Sequence, residues 1–186
     1  TVDVNGVAYV KASALAPAGL CKSATTRNGN LYLIPQYSGE NLLLADSGEI
    51  SHYARATGGQ QLCSKVENGT VIYRTDNVVF KQWAGVRRYI GDETAMYGAG
   101  TYKLTFKVRA DSAKTDALRV RVTLKEDDRL GDYKKFSITK DWTVQEYTFT
   151  LTESQITDPL TMFDIHTYDK SVVWFEVCDL TLVKVN

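Results

Sequence analysis

A period-two alternation of apolar and polar residues runs from Val71 to Val185 and constrains the fold more than any other feature. The segments "TYKLTFKVRA" (101–110) and "LRVRVTLKEDD" (118–128) show it most clearly. Because successive side chains of a strand point to opposite faces, this alternation predicts half-buried strands. Turn residues separate the strands at intervals of about 10 to 15 residues. With no sustained helical spacing after residue 40, the sequence predicts an all-β, antiparallel sandwich.

The first 36 of the 186 residues have a different pattern. "VDVNGVAYV" indicates a hairpin-like strand pair, "KASALAPAGL" a short helical piece, and "RNGNLYLI" a further turn and strand. We therefore expect a short N-terminal β-α-β extension. The composition changes at "PQYSGE", which predicts domains at residues 1–36 and 37–186.

Charge and cysteine content exclude several classes of protein. Lys+Arg and Asp+Glu both total 22, so there is no net field to attract nucleic acid or an anionic membrane. No apolar run approaches the roughly 18 residues of a membrane span, so we expect no membrane insertion. Cys21, Cys63 and Cys178 show no C-x-x-C spacing, and both one disulfide with a spare thiol and three free thiols remain open.

The segment "FKQWAGVRRYI" (80–90) predicts a binding face. If Val86 points inward, alternation places Trp83, Arg87 and Tyr89 on the opposite face. A tryptophan there can present its ring to a pyranose while polar neighbours bind the hydroxyls. The alternative is that Trp83 packs beneath the N-terminal extension or a loop.

Further residues of this face come from two later strands. Alternation places Arg119, Arg121 and Lys125 opposite a valine-leucine core face, and His166 and Tyr168 on the outward phase of "MFDIHTYD". Since arginine binds carboxylates bidentately, these residues suggest an acidic polysaccharide such as a uronic-acid polymer. A solvated charged face and an ordinary surface histidine are the alternatives.

The sequence lacks the usual signatures of a catalytic site. Ser47 and His52 have no G-x-S-x-G elbow and no identifiable orienting acid. With 2 histidines in the chain, a histidine-rich metal centre is excluded. We therefore expect a protein that is not an enzyme.

Four segments occur in an order and spacing that resemble one group of proteins: "WAGVRRYI", "GAGTYKLTFKVRA", "DWTVQEYTFTL" and "FEVCDLTLV". With "ENLLLADSGEI" as the first strand, residues 41–186 resemble the non-catalytic, jelly-roll carbohydrate-binding modules attached to xylanases and glucanases. The resemblance implies a β-jelly-roll sandwich and a sugar stacked on Trp83. Where that group has paired tyrosines and a glutamate, this chain has "MFDIHTYD", so the glycan stays open.

The same resemblance implies a structural calcium ion between the first strand and an acidic pair near the C-terminus. Its ligands here would be Asp46, Glu49 and Asp179. Residues 1–36 resemble the small surface-protein repeat of Gram-positive bacteria that is named for its likeness to the copper amine oxidase N-terminus. That likeness implies a spacer or wall-associated element and no copper ligand.

Together these observations predict a glycan-binding module of a secreted or cell-surface bacterial protein, which a larger parent chain could tether to a catalytic domain. The expected partner is a polysaccharide, not a nucleic acid. The alternatives are a structural or adhesive surface domain and a polysaccharide lyase or hydrolase. The predicted groove is lined by Trp83, Arg87, Tyr89, Arg121, His166 and Tyr168.

Overall fold

The chain forms two compact units, Thr1–Glu40 and Asn41–Asn186. The computed structural model describes residues 2–4, 7–9, 23–27, 30–34, 41–43, 51–53, 61–76, 85–125, 128–167 and 169–185.

The described residues of the N-terminal unit form two antiparallel strand pairs. Strand β1 (Val2–Val4) pairs with β2 (Val7–Tyr9), with Val4 opposite Val7. Strand β3 (Ser23–Arg27) pairs with β4 (Asn30–Ile34). The first pair confirms the predicted hairpin, whereas the predicted helical piece at 11–20 lies outside the described residues.

In the part of the chain that the structure describes, the C-terminal unit consists of β-strands and one short helix. Their bounds are β5 Ser51–Tyr53, β6 Gln61–Glu67, β7 Thr70–Asp76, β8 Gly85–Tyr89, α1 Gly91–Tyr97, β9 Gly100–Ala110, β10 Lys114–Lys125, β11 Asp128–Arg129, β12 Lys134–Ile138, β13 Thr143–Leu151, β14 Met162–Thr167 and β15 Trp174–Lys184.

These strands form two antiparallel sheets. The front sheet has the order β11-β10-β14-β8-β5, and β12 also pairs with β10. The back sheet has the order β13-β9-β15-β7-β6. Neighbours in space are mostly distant in sequence, as in a sandwich whose chain crosses repeatedly between its sheets. The predicted antiparallel, all-β architecture is therefore confirmed.

One core lies between the two sheets, built by the alternation that the sequence shows. In β9, Leu104, Phe106 and Val108 are completely buried, while the polar residues between them face outward. Each such side chain contributes roughly 2 kcal/mol on burial. The front sheet supplies the opposing side chains, including Leu118, Val120, Val122, Phe163 and Ile165.

Helix α1 lies in the segment "GDETAMYGAG", between β8 and β9, and is too short to give a sustained helical spacing in the sequence. The helix begins at Gly91, where a Cβ atom would lie 2.5 Å from the carbonyl oxygen of Pro159. It ends before Gly98, which has a φ of +81°. Within the helix, buried Glu93 accepts a hydrogen bond from Arg88 Nη2 at 3.1 Å. Alternation directs Arg88 inward, and Glu93 compensates its buried positive charge.

Candidate functional site: an arginine-rich sheet face

Three adjacent strands of the front sheet place polar side chains side by side on its outer face. The antiparallel register puts Arg121 of β10 opposite Asp164 of β14, and Asp164 opposite Arg87 of β8. The next outward row carries Arg119 and His166. Since residues two apart in a strand share a face, this register builds one continuous polar surface.

Asp164 joins two arginines at the centre of this face. Its side chain is completely buried, and its two oxygens accept separate hydrogen bonds. Arg87 Nε donates to Oδ1 at 2.7 Å and Arg121 Nε donates to Oδ2 at 2.9 Å. Charge-assisted bonds of this length are strong and offset the cost of burying the carboxylate. Asp164 therefore fixes the direction of both guanidinium groups.

Tyr133 lies against the arginines. Arg121 Nη1 donates a hydrogen bond to its hydroxyl at 2.9 Å. The guanidinium carbons of Arg119, Arg121 and Arg129 lie 5.4, 5.1 and 5.3 Å from the centre of its ring. These distances are within the range of cation–π attraction. The tyrosine thus holds three positive groups close together.

His166 is buried within this arginine-rich face, and the sequence alternative of an ordinary surface histidine is wrong. Its ring meets the ring of Tyr133 edge-on at 5.4 Å. Burial lowers the pKa of His166 well below its usual value, and the positive charges of Arg121, Arg119, Arg87 and Arg129 lower it further. The imidazole is consequently neutral near pH 7.

Gly85 allows β8 to approach β14 at His166. A Cβ atom on Gly85 would lie 2.2 Å from the carbonyl oxygen of Ile165 and 2.6 Å from Cβ of His166. A larger residue could not occupy this position without moving the backbone. The glycine of "WAGV" therefore sets the spacing of the central strands.

The structure brings together four of the six predicted ligand-binding residues. Arg87, Tyr89, Arg121 and His166 belong to the outer face of the front sheet; Tyr89 is 38% exposed, whereas Arg121 and His166 are buried within that face. Trp83 and Tyr168 lie outside the described residues. Their roles in binding a ligand stay predictions.

Two residues of this face were missed as functional candidates. Asp164 appeared in "MFDIHTYD", but a single sequence does not show that it meets arginines 77 and 43 positions away. Tyr133 follows the turn "RLGD", where the alternation is interrupted and does not assign the side chain to a face of the sheet. Cross-strand register, which joins them to the arginines, is a property of the fold.

The calcium prediction has one ligand in the described part of the chain. Asp179 is exposed, and its Oδ2 lies 2.8 Å from Nζ of Lys107. The hydrogen bond to Asp179 raises the pKa of Lys107, so the lysine is charged and already occupies an oxygen that calcium would need. Asp46 and Glu49 lie outside the described residues, and the described ones include no group of three metal-binding side chains. Two of the three proposed ligands are therefore not described, and the calcium site stays a prediction.

Two further findings bear on the sequence analysis. Cys178 is a buried, free thiol, and burial raises its pKa. Among the described residues, no helix is long and apolar enough to cross a membrane.

No protein-family model and no curated protein sequence match this chain. Solved structures do resemble it. The CBM22-2 xylan-binding domain of Xyn10C from Paenibacillus barcinonensis is 14% identical with a TM-score of 0.53, over 74% of this chain and 94% of that one. The CBM22-1 xylan-binding domain of the same protein is 12% identical with a TM-score of 0.52, over 77% and 99%.

A CBM4 structure is 17% identical with a TM-score of 0.51, covering 67% of this chain and 77% of its own. At these identities the likeness shows the fold. This chain therefore contains the β-jelly-roll fold of carbohydrate-binding modules, and the resemblance in fold drawn from four sequence segments is confirmed.

Proposed function

We propose that Asn41–Asn186 is a non-catalytic carbohydrate-binding module that holds an acidic polysaccharide on the outer face of the front sheet. The observation that carries the proposal is the group of four arginines around Asp164 and Tyr133: Arg87, Arg119, Arg121 and Arg129. The module serves a secreted or cell-surface bacterial protein and is tethered to a catalytic domain in a larger parent chain.

The charge of this face favours an anionic ligand. Asp164 is the carboxylate that bonds two of the four arginines, and His166 adds no charge because its pKa is lowered. Arg87 and Arg121 each bond Asp164 through Nε, and Arg121 also bonds the hydroxyl of Tyr133 through Nη1. Guanidinium groups match the carboxylates of uronic acids in a planar, bidentate geometry, so arginine at this face favours such a ligand over a neutral one. Lys135, in register with Arg119, adds a further positive charge.

Aromatic residues supply the second element of sugar binding. Tyr89 is partly exposed at the end of β8, and Tyr133 lies among the arginines. The resemblance adds Trp83, six residues before Tyr89. Apolar rings pack on the C–H faces of pyranoses while charged groups bind their substituents. Adsorption then raises the effective concentration of polymer around a tethered enzyme without new chemistry.

Affinity electrophoresis tests the proposal with native gels that contain polygalacturonate, alginate, xylan or mixed-linkage β-glucan. Mobility is measured relative to a polymer-free gel, which corrects for the charge of each variant. We expect the acidic polymers to retard the wild type, and salt to weaken this retardation because exposed charges are screened. Retardation that is equal in neutral and acidic gels, or absent from every gel, contradicts the proposal.

A matched pair of variants locates the binding face. Arg119→Gln removes one positive charge from the front sheet, where it should weaken retardation. Lys103→Gln removes one from the back sheet, where Lys103 pairs with Glu146 at 3.2 Å, and should leave retardation unchanged. Equal effects of the two substitutions would indicate a response to net charge alone.

A polysaccharide lyase is the competing function, since arginine, histidine and tyrosine lie together on this face. Proton abstraction beside a uronic-acid carboxylate needs a cation on the carboxylate and a base within hydrogen-bond reach of the proton. His166 is completely buried, so its ring does not present a base at the surface. Incubation with polygalacturonate separates the two functions: a binding module yields no unsaturated or reducing ends, whereas a lyase yields both.

A further inference from the structure

The outer face of the back sheet contains an open cavity of about 230 Å³. It lies on the opposite side of the sandwich from the arginine-rich face, among strands β6, β7, β9 and β15. Its lining combines an indole ring with charged, hydroxyl and amide groups: Glu67, Asn68, Thr70, Ile72, Lys107, Trp142, Cys178 and Asp179.

A β-bulge in β15 shapes this cavity. The pairing of β15 with β9 shifts register between Cys178 and Thr181, and within the shift Asp179 has a φ of +49°. Asn68, on the β6–β7 turn, has a φ of +50°. Both values lie in a region that non-glycine residues rarely adopt. Bulges re-aim side chains, and here the bulge directs Asp179 towards Lys107 at the rim.

Trp142 forms a fixed wall of the cavity. The guanidinium carbon of Arg109 lies 4.6 Å from the centre of its ring. Arg109 in turn bonds the completely buried Glu176, with Nε at 2.7 Å and Nη2 at 2.6 Å from Oε2. Because Glu176 anchors the arginine, the indole packs against a group whose position is already set, which favours one orientation of the ring. Such preorganisation lowers the entropic cost of binding.

The floor of the cavity is apolar and its rim is polar. Ile72 and Cys178 are buried beneath it. At the rim, Lys107 pairs with Asp179 at 2.8 Å, and Glu67 pairs with Lys65 at the same distance. Each charge is therefore matched by an opposite one. The site offers donors and acceptors for hydroxyl groups without a net field for an ion, unlike the arginine-rich face.

We propose that this cavity is a second sugar-binding site, which takes a single neutral sugar residue stacked on Trp142. An aromatic wall with charged and amide groups at the rim suits a pyranose, whose faces are apolar and whose edge carries hydroxyls. The volume is below the roughly 300–1,000 Å³ of sites for larger ligands. One ring thus fits better than a chain. The proposal does not depend on ligand binding at the front sheet.

The indole N–H groups report binding directly by two-dimensional ¹H–¹⁵N NMR. The chain has 3 tryptophans, and Trp142→Phe and Trp174→Phe assign two of the indole signals. The probes are D-glucose, D-xylose, D-galactose, D-mannose and L-arabinose at millimolar concentrations. At least one of them should shift the Trp142 signal saturably, while the signal of Trp174, which lies beneath Arg74, stays in place.

Substitutions at the rim test the location of the site. Lys107→Ala and Asp179→Asn each remove part of the rim and should weaken the sugar affinity about tenfold, which corresponds to about 1.4 kcal/mol. Lys103→Gln is the control, because Lys103 is also an exposed, ion-paired lysine of β9 on the same face. Absence of any shift at Trp142, or a shift that neither rim substitution weakens, overturns the second site.

The same samples separate this inference from the function proposed for the front sheet. Retardation by acidic polymers without a sugar-induced shift at Trp142 would retain the front-sheet module and remove the second site. A shift at Trp142 without polymer retardation would retain the second site and remove the front-sheet function.

Discussion

Asp164 and Arg121, which lie 43 positions apart, form a buried ion pair in the front sheet, with Nε of the arginine 2.9 Å from Oδ2 of the aspartate. The carboxylate also holds Arg87, so one acidic group orients two of the arginines assigned to ligand binding. Stability and the geometry of the binding face therefore depend on the same side chain.

Asp164→Asn should lower the free energy of unfolding by about 3–5 kcal/mol, because it leaves two arginines without their charged partner. Urea denaturation measures this loss. Asp179→Asn is the matched control: Asp179 pairs with Lys107 at the surface, and asparagine also tolerates a positive φ, so its cost should be about 0–1 kcal/mol. Equal costs for the two variants would show that the buried pair adds nothing beyond a surface pair.

His166 should make stability depend on pH below about 6.5, the usual pKa of histidine. Its folded-state pKa is lowered by burial and by the surrounding arginines, so the unfolded chain binds a proton that the native state does not. Stability is then fully present above pH 6.5 and falls with decreasing pH by up to about 1.4 kcal/mol per pH unit. Denaturant titrations between pH 7.5 and 5 measure the slope. His166→Gln should flatten it, and an unchanged slope would contradict this assignment.

Glu176 should make stability depend on pH in a second, more acidic range. Burial raises its pKa, but hydrogen bonds from Arg109 and Lys65 outweigh burial, and the net pKa lies below the ordinary 4.5. The unfolded chain therefore takes up a proton first, and the stability that Glu176 provides above pH 4.5 is lost as the pH falls.

Glu176→Gln should cost about 3 kcal/mol at pH 7, the lower end for a broken buried pair, because the partner cations stay partly exposed. The variant should also lose less stability than the wild type between pH 5 and pH 3 in the same denaturant titrations. Parallel curves for the two proteins would show that another carboxylate causes the acid sensitivity.

Alternation predicted the faces of the strands well, and its limits have a physical cause. Leu104 and Val120 are buried, and Arg121 and His166 lie on the opposite face of the front sheet, as the period-two pattern requires. The pattern does not show what covers an outward side chain. It also gives no register, which depends on contacts between strands far apart in sequence.

Local sequence patterns also do not show which residues form the ion pairs that compensate buried charges. Alternation places Arg88 inward, and its charge is matched there by Glu93 of α1, a contact that needs both the strand and the helix in place. Trp142 and Trp174 lie half-buried beside arginines on the back sheet, a contact that a strand pattern does not show. In both cases tertiary contacts between elements far apart in sequence determine the role of the residue.

Trp83→Ala separates a binding module from a structural domain. In a binding module Trp83 faces the polysaccharide, so the variant should lose retardation in acidic gels and keep its free energy of unfolding to within about 1 kcal/mol. If Trp83 instead packs under a neighbouring segment, truncation should cost the roughly 3–5 kcal/mol of a core tryptophan. Urea denaturation and affinity electrophoresis of the same preparation give both readings. If the polymers do not retard the wild type and Trp83→Ala is destabilised, the structural domain is favoured. If they retard the wild type but not a fully stable Trp83→Ala variant, the polysaccharide binds at Trp83.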